Sequence, residues 1–195
     1  GFRPEGAIAL RVDPASRLRV PERMPFFTRV LGAVHQVTGV QTAAISINLP
    51  MDRNMMWDVA IPGQPFRPGV DGAYARIVSP GYFRAVGIPL IAGRDFDDRD
   101  REKTPLVVAI NETLARRVGP NAIGKTITLN GRDREIIAVV HDVKHRGLDA
   151  DPGSEFYVSY LQTPGWQTFD LVVRAADPSA LVPAIRSAIQ RVDPE

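Results

Sequence analysis

Residues 78–149 constrain the fold most, because short apolar runs alternate there with turn signals at close intervals. VSPGY reads as a turn, residues 88–92 as a short strand, and 94–103 as a solvated loop whose charges alternate in sign. LVVAI at 106–110 is a continuous apolar run, the pattern of a buried strand. Asn111 is a helix cap for 112–118, and Gly119-Pro120 ends that helix. Residues 125–129 and 134–143 flank Asn130-Gly131. Asn-Gly between strands predicts a hairpin, since a type I′ turn needs positive φ at both positions. Nothing in this stretch has the form of a catalytic apparatus.

The flanks read differently. AIALRV at 7–12 is a strand, and 21–38 a helix with Phe27, Val30, Leu31 and Val34 on one apolar stripe. Gly39 stops it, and 41–49 is a second strand. Residues 50–72 hold four prolines, three glycines, three of the four methionines and one tryptophan. That composition predicts a long connection with at most one short strand, functional or a subdomain boundary. Residues 74–78 form a strand, after which Ser79 caps one helical turn with Pro80 at its first position and Gly87 at its end. Further strands fall at 155–160 and 169–174, with a second crossing around Trp166. Asp177 caps a last helix with Pro178 at its first position, and Leu181, Ile185, Ala188, Ile189 and Val192 line its buried face. Pro183 should kink or restart that helix. The fold class is α+β. Residues 1–50 and 165–195 form one split strand–helix–strand subdomain, and 51–164 form a mostly β insert.

Composition excludes several classes. The net charge is +2, from 24 basic and 22 acidic residues, without the clustered Lys and Arg that nucleic acid demands. There is no cysteine, hence no disulfide, thiolate metal site or cysteine nucleophile. No stretch approaches the roughly 18 apolar residues of a membrane span. The chain begins with Gly1 and not Met, which leads to the expectation of a domain within a longer protein.

His141 and His145, four apart in HDVKH, suggest metal ligands if helical. The preceding IIAVV is strand-like, and on a strand the two would stand about 13 Å apart, too far for one ion. His35 reads as a satisfied histidine at the edge of the first helix. Asp95, Asp97, Asp98 and Asp100 lack the glycine and glutamate of an EF-hand calcium loop. GPNAIGKT at 119–126 fits a phosphate-loop spacing, but it follows a helix and opens a strand, the reverse of the required context. No serine sits in a nucleophile elbow. No cofactor and no catalytic residue are expected. Met51, Met55, Met56 and Trp57 make an adaptable apolar segment, suited to packing between lobes or to contact with a partner or apolar substrate.

SPGYF at 79–83, GIPLIAGRDF at 87–96, VVAINETLARR at 107–117, IGKTITLNG at 123–131 and IIAVVHDVKHRGLD at 136–149 occur here in one order. Together they resemble the MacB-like periplasmic core domain of ABC-transporter permeases, the MacB and FtsX group. The resemblance implies a porter-like subdomain made of both chain ends and interrupted by a β-rich one. It implies a non-enzymatic extracytoplasmic domain, held between the first two membrane helices of a cytoplasmic-membrane permease. Its implied partners are an ABC nucleotide-binding domain, a second permease copy and a periplasmic adaptor protein. Coupling of cytoplasmic ATP hydrolysis to export or to mechanical transmission is the implied role. The alternatives from the residues are a stand-alone periplasmic binding module for an apolar ligand or peptide, and a metal hydrolase built on His141, His145 and nearby aspartates.

Overall fold

The computed structural model describes residues 2–14, 17–50, 54–144 and 151–193. Along the chain run β1 (Ala7–Val12), α1 (Val20–His35), β2 (Val40–Ile47), β3 (Met55–Ala60), β4 (Gly72–Val78) and α2 (Tyr82–Val86). They are followed by β5 (Leu90–Gly93), β6 (Val107–Asn111), α3 (Glu112–Val118), β7 (Thr126–Leu129) and β8 (Arg132–Val140). The last are β9 (Glu155–Ser159), β10 (Phe169–Ala175) and α4 (Val182–Val192). The mixture is α+β, as the sequence pattern indicated.

The strands pair in the order β1-β10-β2-β4-β3-β7-β8-β6-β9, with β5 added to β8. β9 then returns to pair in parallel with β4, from Tyr74↔Glu155 to Val78↔Ser159. Strands β4, β3, β7, β8, β6 and β9 therefore close into a ring, which removes the open edges a sheet would otherwise present. The antiparallel set β1, β10 and β2 extends from this ring. Its junction is short: β2 meets β4 at Ser46↔Val78 and Ile47↔Ile77.

Local chemistry explains most element ends. Asn111 Oδ1 accepts the Leu114 N–H at 2.9 Å, capping α3. Asn130 (φ 46°) and Gly131 (φ 77°) both lie in the left-handed region that a type I′ turn requires. Asp177 Oδ1 accepts the Ala180 N–H at the start of a 3-10 turn over Ser179–Leu181, and Pro183 sits in the first turn of α4. Pro183 thus restarts the helix. One expected cap differs. Gly81, at φ 81°, precedes α2, while the Ser79 hydroxyl accepts the Ile45 N–H at 3.0 Å. Pro80-Gly81 delays the helix, which leaves Ser79 free to extend the pairing of β4 with β2.

Both faces of the sheet are packed. α1 and α4 lie side by side on one face. There Phe27, fully buried, meets the Phe169 ring at 4.6 Å. Burying such a side chain contributes about 1.5–3 kcal/mol. This apolar cluster runs unbroken from α1 to Ile110 and Ile127 of the ring and Leu114 of α3. α2 covers part of the opposite face, joining Val78, Ala109, Tyr157 and Val172 in a second cluster.

Candidate functional site

β3 places the methionine–tryptophan segment, and its alternation divides the segment between two faces. Met55 and Trp57 pack on the core, with the Trp57 ring 5.6 Å from that of Phe156. Met56 points away and is 59% exposed. Met51 lies outside the described residues. Phe66 and Val70, in the loop beyond β3, are also exposed. That loop holds its own charges: Arg67 pairs with Asp71, and Asp58 Oδ1 accepts the Gly69 N–H.

A concavity opens where the chain crosses between β2, β1 and β10. Arg11, Asn48, Trp166, Gln167, Thr168 and Asp170 surround a cavity of about 620 Å³. An adjoining hollow of about 460 Å³ shares Gln167 and Thr168. Arg11 lies 3.7 Å from Asp170, so the charges here offset one another. Gln167 Oε1 is shielded from solvent and accepts no hydrogen bond from the described residues. Only Trp166 was marked by the sequence, as part of a crossing. Gln167, Thr168 and Asp170 follow it closely in the chain, but Arg11 and Asn48 come from distant elements, and no local pattern unites them with the crossing.

Beside the short junction lies an ionic network around a buried ion pair. Arg76 Nε donates to Glu155 Oε1 at 2.8 Å, and both side chains are 0% exposed. Arg76 Nη2 donates to Asn54 Oδ1 at 2.7 Å, and the Tyr157 hydroxyl donates to Glu155 Oε2 at 2.7 Å. Burial holds the Tyr82 and Tyr157 phenols well above their ordinary range, so both stay protonated. The network ties the segment entering β3 to β4 and β9.

The remaining candidates that are described make local contacts. His141 Nδ1 lies 3.0 Å from Glu112 Oε2, while Asp142 accepts the Thr113 N–H at the start of α3. β8 ends at Val140, short of the expected 143, and His145 lies outside the described residues. His35 Nε2 accepts the Ala43 N–H. Arg94 grips Asp100 at 2.7 and 2.8 Å, and Arg99 pairs with Asp97. Asp95 accepts the Gly81 and Phe96 N–H groups, and burial raises its pKa. Lys125 turns back onto the Pro120 carbonyl, between α3 and β7. Among the described residues no group of three His, Cys, Asp or Glu side chains could hold a metal ion. Nor is any helix there long and apolar enough to cross a membrane.

The fold is thus a closed β ring joined to an α+β layer built from both chain ends, with a charge-balanced cleft at the crossing. The sequence profile of the MacB-like periplasmic core domain matches residues 15–192, and the chain belongs to that family. The family comprises extracytoplasmic domains of ABC-transporter permeases, not catalytic enzymes. The periplasmic region of MacB from Actinobacillus actinomycetemcomitans superposes with a TM-score of 0.66 at 13% identity, over 98% of this chain and 86% of that one. The extracellular domain of the noncanonic ABC-type transporter YknZ from Gram-positive bacteria gives 0.59 at 15% identity, over 96% and 92%. A domain of a putative permease protein from Porphyromonas gingivalis gives 0.54 at 17% identity, over 83% and 68%. No curated protein sequence matches the chain.

Proposed function

We propose that this domain couples cytoplasmic ATP hydrolysis to export or to force transmission, through contacts with a partner or substrate. Membership of the permease family carries this reading. Its partners are then a nucleotide-binding domain and a second permease copy, with a periplasmic adaptor where the transporter uses one, and membrane helices flank it. Residues 1–50 with 165–195 act as one moving part and 51–164 as the other. They hinge at the crossings near 50–72 and 160–168, where prolines and glycines can absorb backbone change. The narrow β2–β4 junction favours such a division. Met55, Met56 and Trp57, with Met51, serve as the contact between parts or with a partner.

The test is a reversible lock. The chain has no cysteine, so a pair joining α2 to β10, with Cβ atoms about 3.8 Å apart, forms one defined disulfide. In the full transporter, oxidation should abolish export or coupling and reduction should restore it. ATP binding should persist throughout. Full activity with the crosslink quantitatively formed would mean that the domain is a rigid docking platform.

A second reading is a periplasmic binding module. The cleft at Trp166 and Asp170 favours it, being of the size that ordinarily holds a small ligand.

A further inference from the structure

Arg3, Pro4 and Glu5 precede β1 and are exposed, yet their backbone is held. Arg174 of β10 does most of the holding. Its Nη1 donates to the Glu5 carbonyl at 2.7 Å, its Nη2 to the Arg3 carbonyl at 2.5 Å, and its Nε to the Ala85 carbonyl of α2 at 2.9 Å. A planar guanidinium can serve three such acceptors at once, which a lysine ammonium on its flexible stem cannot match. Two main-chain bonds complete the clasp. The Arg3 N–H donates to the Val86 carbonyl at 2.9 Å, and the Ala175 N–H to the Gly6 carbonyl at 3.0 Å. Gly87 lets the segment come this close, since a Cβ there would lie 2.8 Å from that of Arg3. Phe2 adds an apolar anchor against the second cluster.

The clasp spans the proposed hinge. α2 lies within residues 51–164, one moving part, whereas Arg174 and the segment ahead of β1 belong to the other. An exposed segment of this kind stays ordered only where something ties it down. Left untied, it would take up a pull by straightening, to about 3.3–3.6 Å per residue, and pass nothing on. The Arg174 fork removes that slack between Arg3 and the sheet, and it does so at the boundary of the two parts.

We infer that Arg174 is the joint at which a pull on residues 2–6 is passed to β10 and, through Ala85 and Val86, to α2. The inference rests on the reading of the domain as a coupler with a membrane helix ahead of that segment, and it names the residue that carries the coupling.

Amide hydrogen exchange in the 195-residue chain tests the clasp itself. In Arg174→Met the Arg3 and Ala175 amides should exchange at least about tenfold faster, the effect of losing one hydrogen bond to a charged group. The rates are taken relative to the Ile45 amide, buried in β2 and bonded to Ser79, which corrects for any change in overall stability. Arg174→Lys keeps the charge but not the fork; it should release the segment too, and it replaces Arg174→Met should that variant fail to fold. In the full transporter, nitroxide labels on Val70→Cys, in the β3–β4 loop, and Arg186→Cys, on α4, report the separation of the two parts from exposed positions. Adding ATP should change that distance when Arg174 is present and leave it fixed in Arg174→Met, with ATP binding the same in both. Unchanged exchange at Arg3 in the folded variants, or the same ATP-driven change of distance without the guanidinium, would overturn the inference and leave the coupling reading standing. No change of distance even with Arg174 in place would sink that reading and the inference together.

Discussion

Arg76 and Glu155 show what a buried charge demands. Each is fully buried, and each has its partner through close hydrogen bonds. Removing one partner strands the other in a medium that solvates it poorly, whereas removing both need not. Arg76→Met should therefore cost about 3–5 kcal/mol in urea unfolding, and Arg76→Met with Glu155→Leu should recover much of that loss. A double variant no better than the single would mean that the pair contributes net stability. Glu112 behaves differently because it is partly exposed. The Asp142 N–H, then His141, holds its carboxyl below the ordinary range. A lowered folded pKa gives stability that is complete above the unfolded value, about 4.3, and lost as pH falls through the folded one. Glu112→Gln should lower the melting temperature at pH 7, and the gap from the parent protein should narrow as pH drops below about 4. A gap constant with pH would assign the effect to shape and not charge.

At the scale of elements, the two glycines Gly131 and Gly93 separate two reasons for the same residue. A Cβ at Gly131 would touch nothing within 4 Å, so Gly131→Ala bears only the left-handed backbone, about 1–2 kcal/mol. A Cβ at Gly93 would lie 2.0 Å from the Ile137 carbonyl oxygen, across the β5–β8 pairing. Gly93→Ala should destabilise by clearly more than Gly131→Ala in thermal melts, and equal losses would argue against the close approach. The contrast also explains what was legible. The Asn130-Gly131 turn, the Asn111 cap and the restart at Pro183 are codes spanning a few residues, and each can be read from its neighbours. Gly93 is required by Ile137, and the ring is closed by β4 against β9. Arg76 finds Glu155 79 positions along the chain. Such pairings have no local signature. The cleft was illegible for the same reason, since Arg11, Asn48 and Asp170 meet only once β1, β2 and β10 are in register.

At the scale of the molecule, two features pull in opposite directions. The β2–β4 junction of two rungs favours independent motion of the ring and the split layer. The apolar cluster is continuous from Phe27 and Ile185 to Ile110 and Leu129, and that favours a single folding unit. Magnitude decides between them. Separating the parts would expose many fully buried side chains, each worth about 1.5–3 kcal/mol, against the few hydrogen bonds of the junction. The proposed hinging is therefore to be a small sliding of packed surfaces that keeps the core dry, and the parts should not unfold separately. The tryptophans supply the measurement. Trp57 reports the ring, through its contact with Phe156, and Trp166 reports the edge of the split layer. In Trp166→Phe and Trp57→Phe variants, the remaining indole should give coincident urea transitions, matching far-UV circular dichroism, as a two-state unit requires. Once the curves are normalised for any change in overall stability, a Trp166 transition well before that of Trp57 would divide the chain into two folding units. The lock across α2 and β10 would then be restraining separate bodies and not a sliding contact.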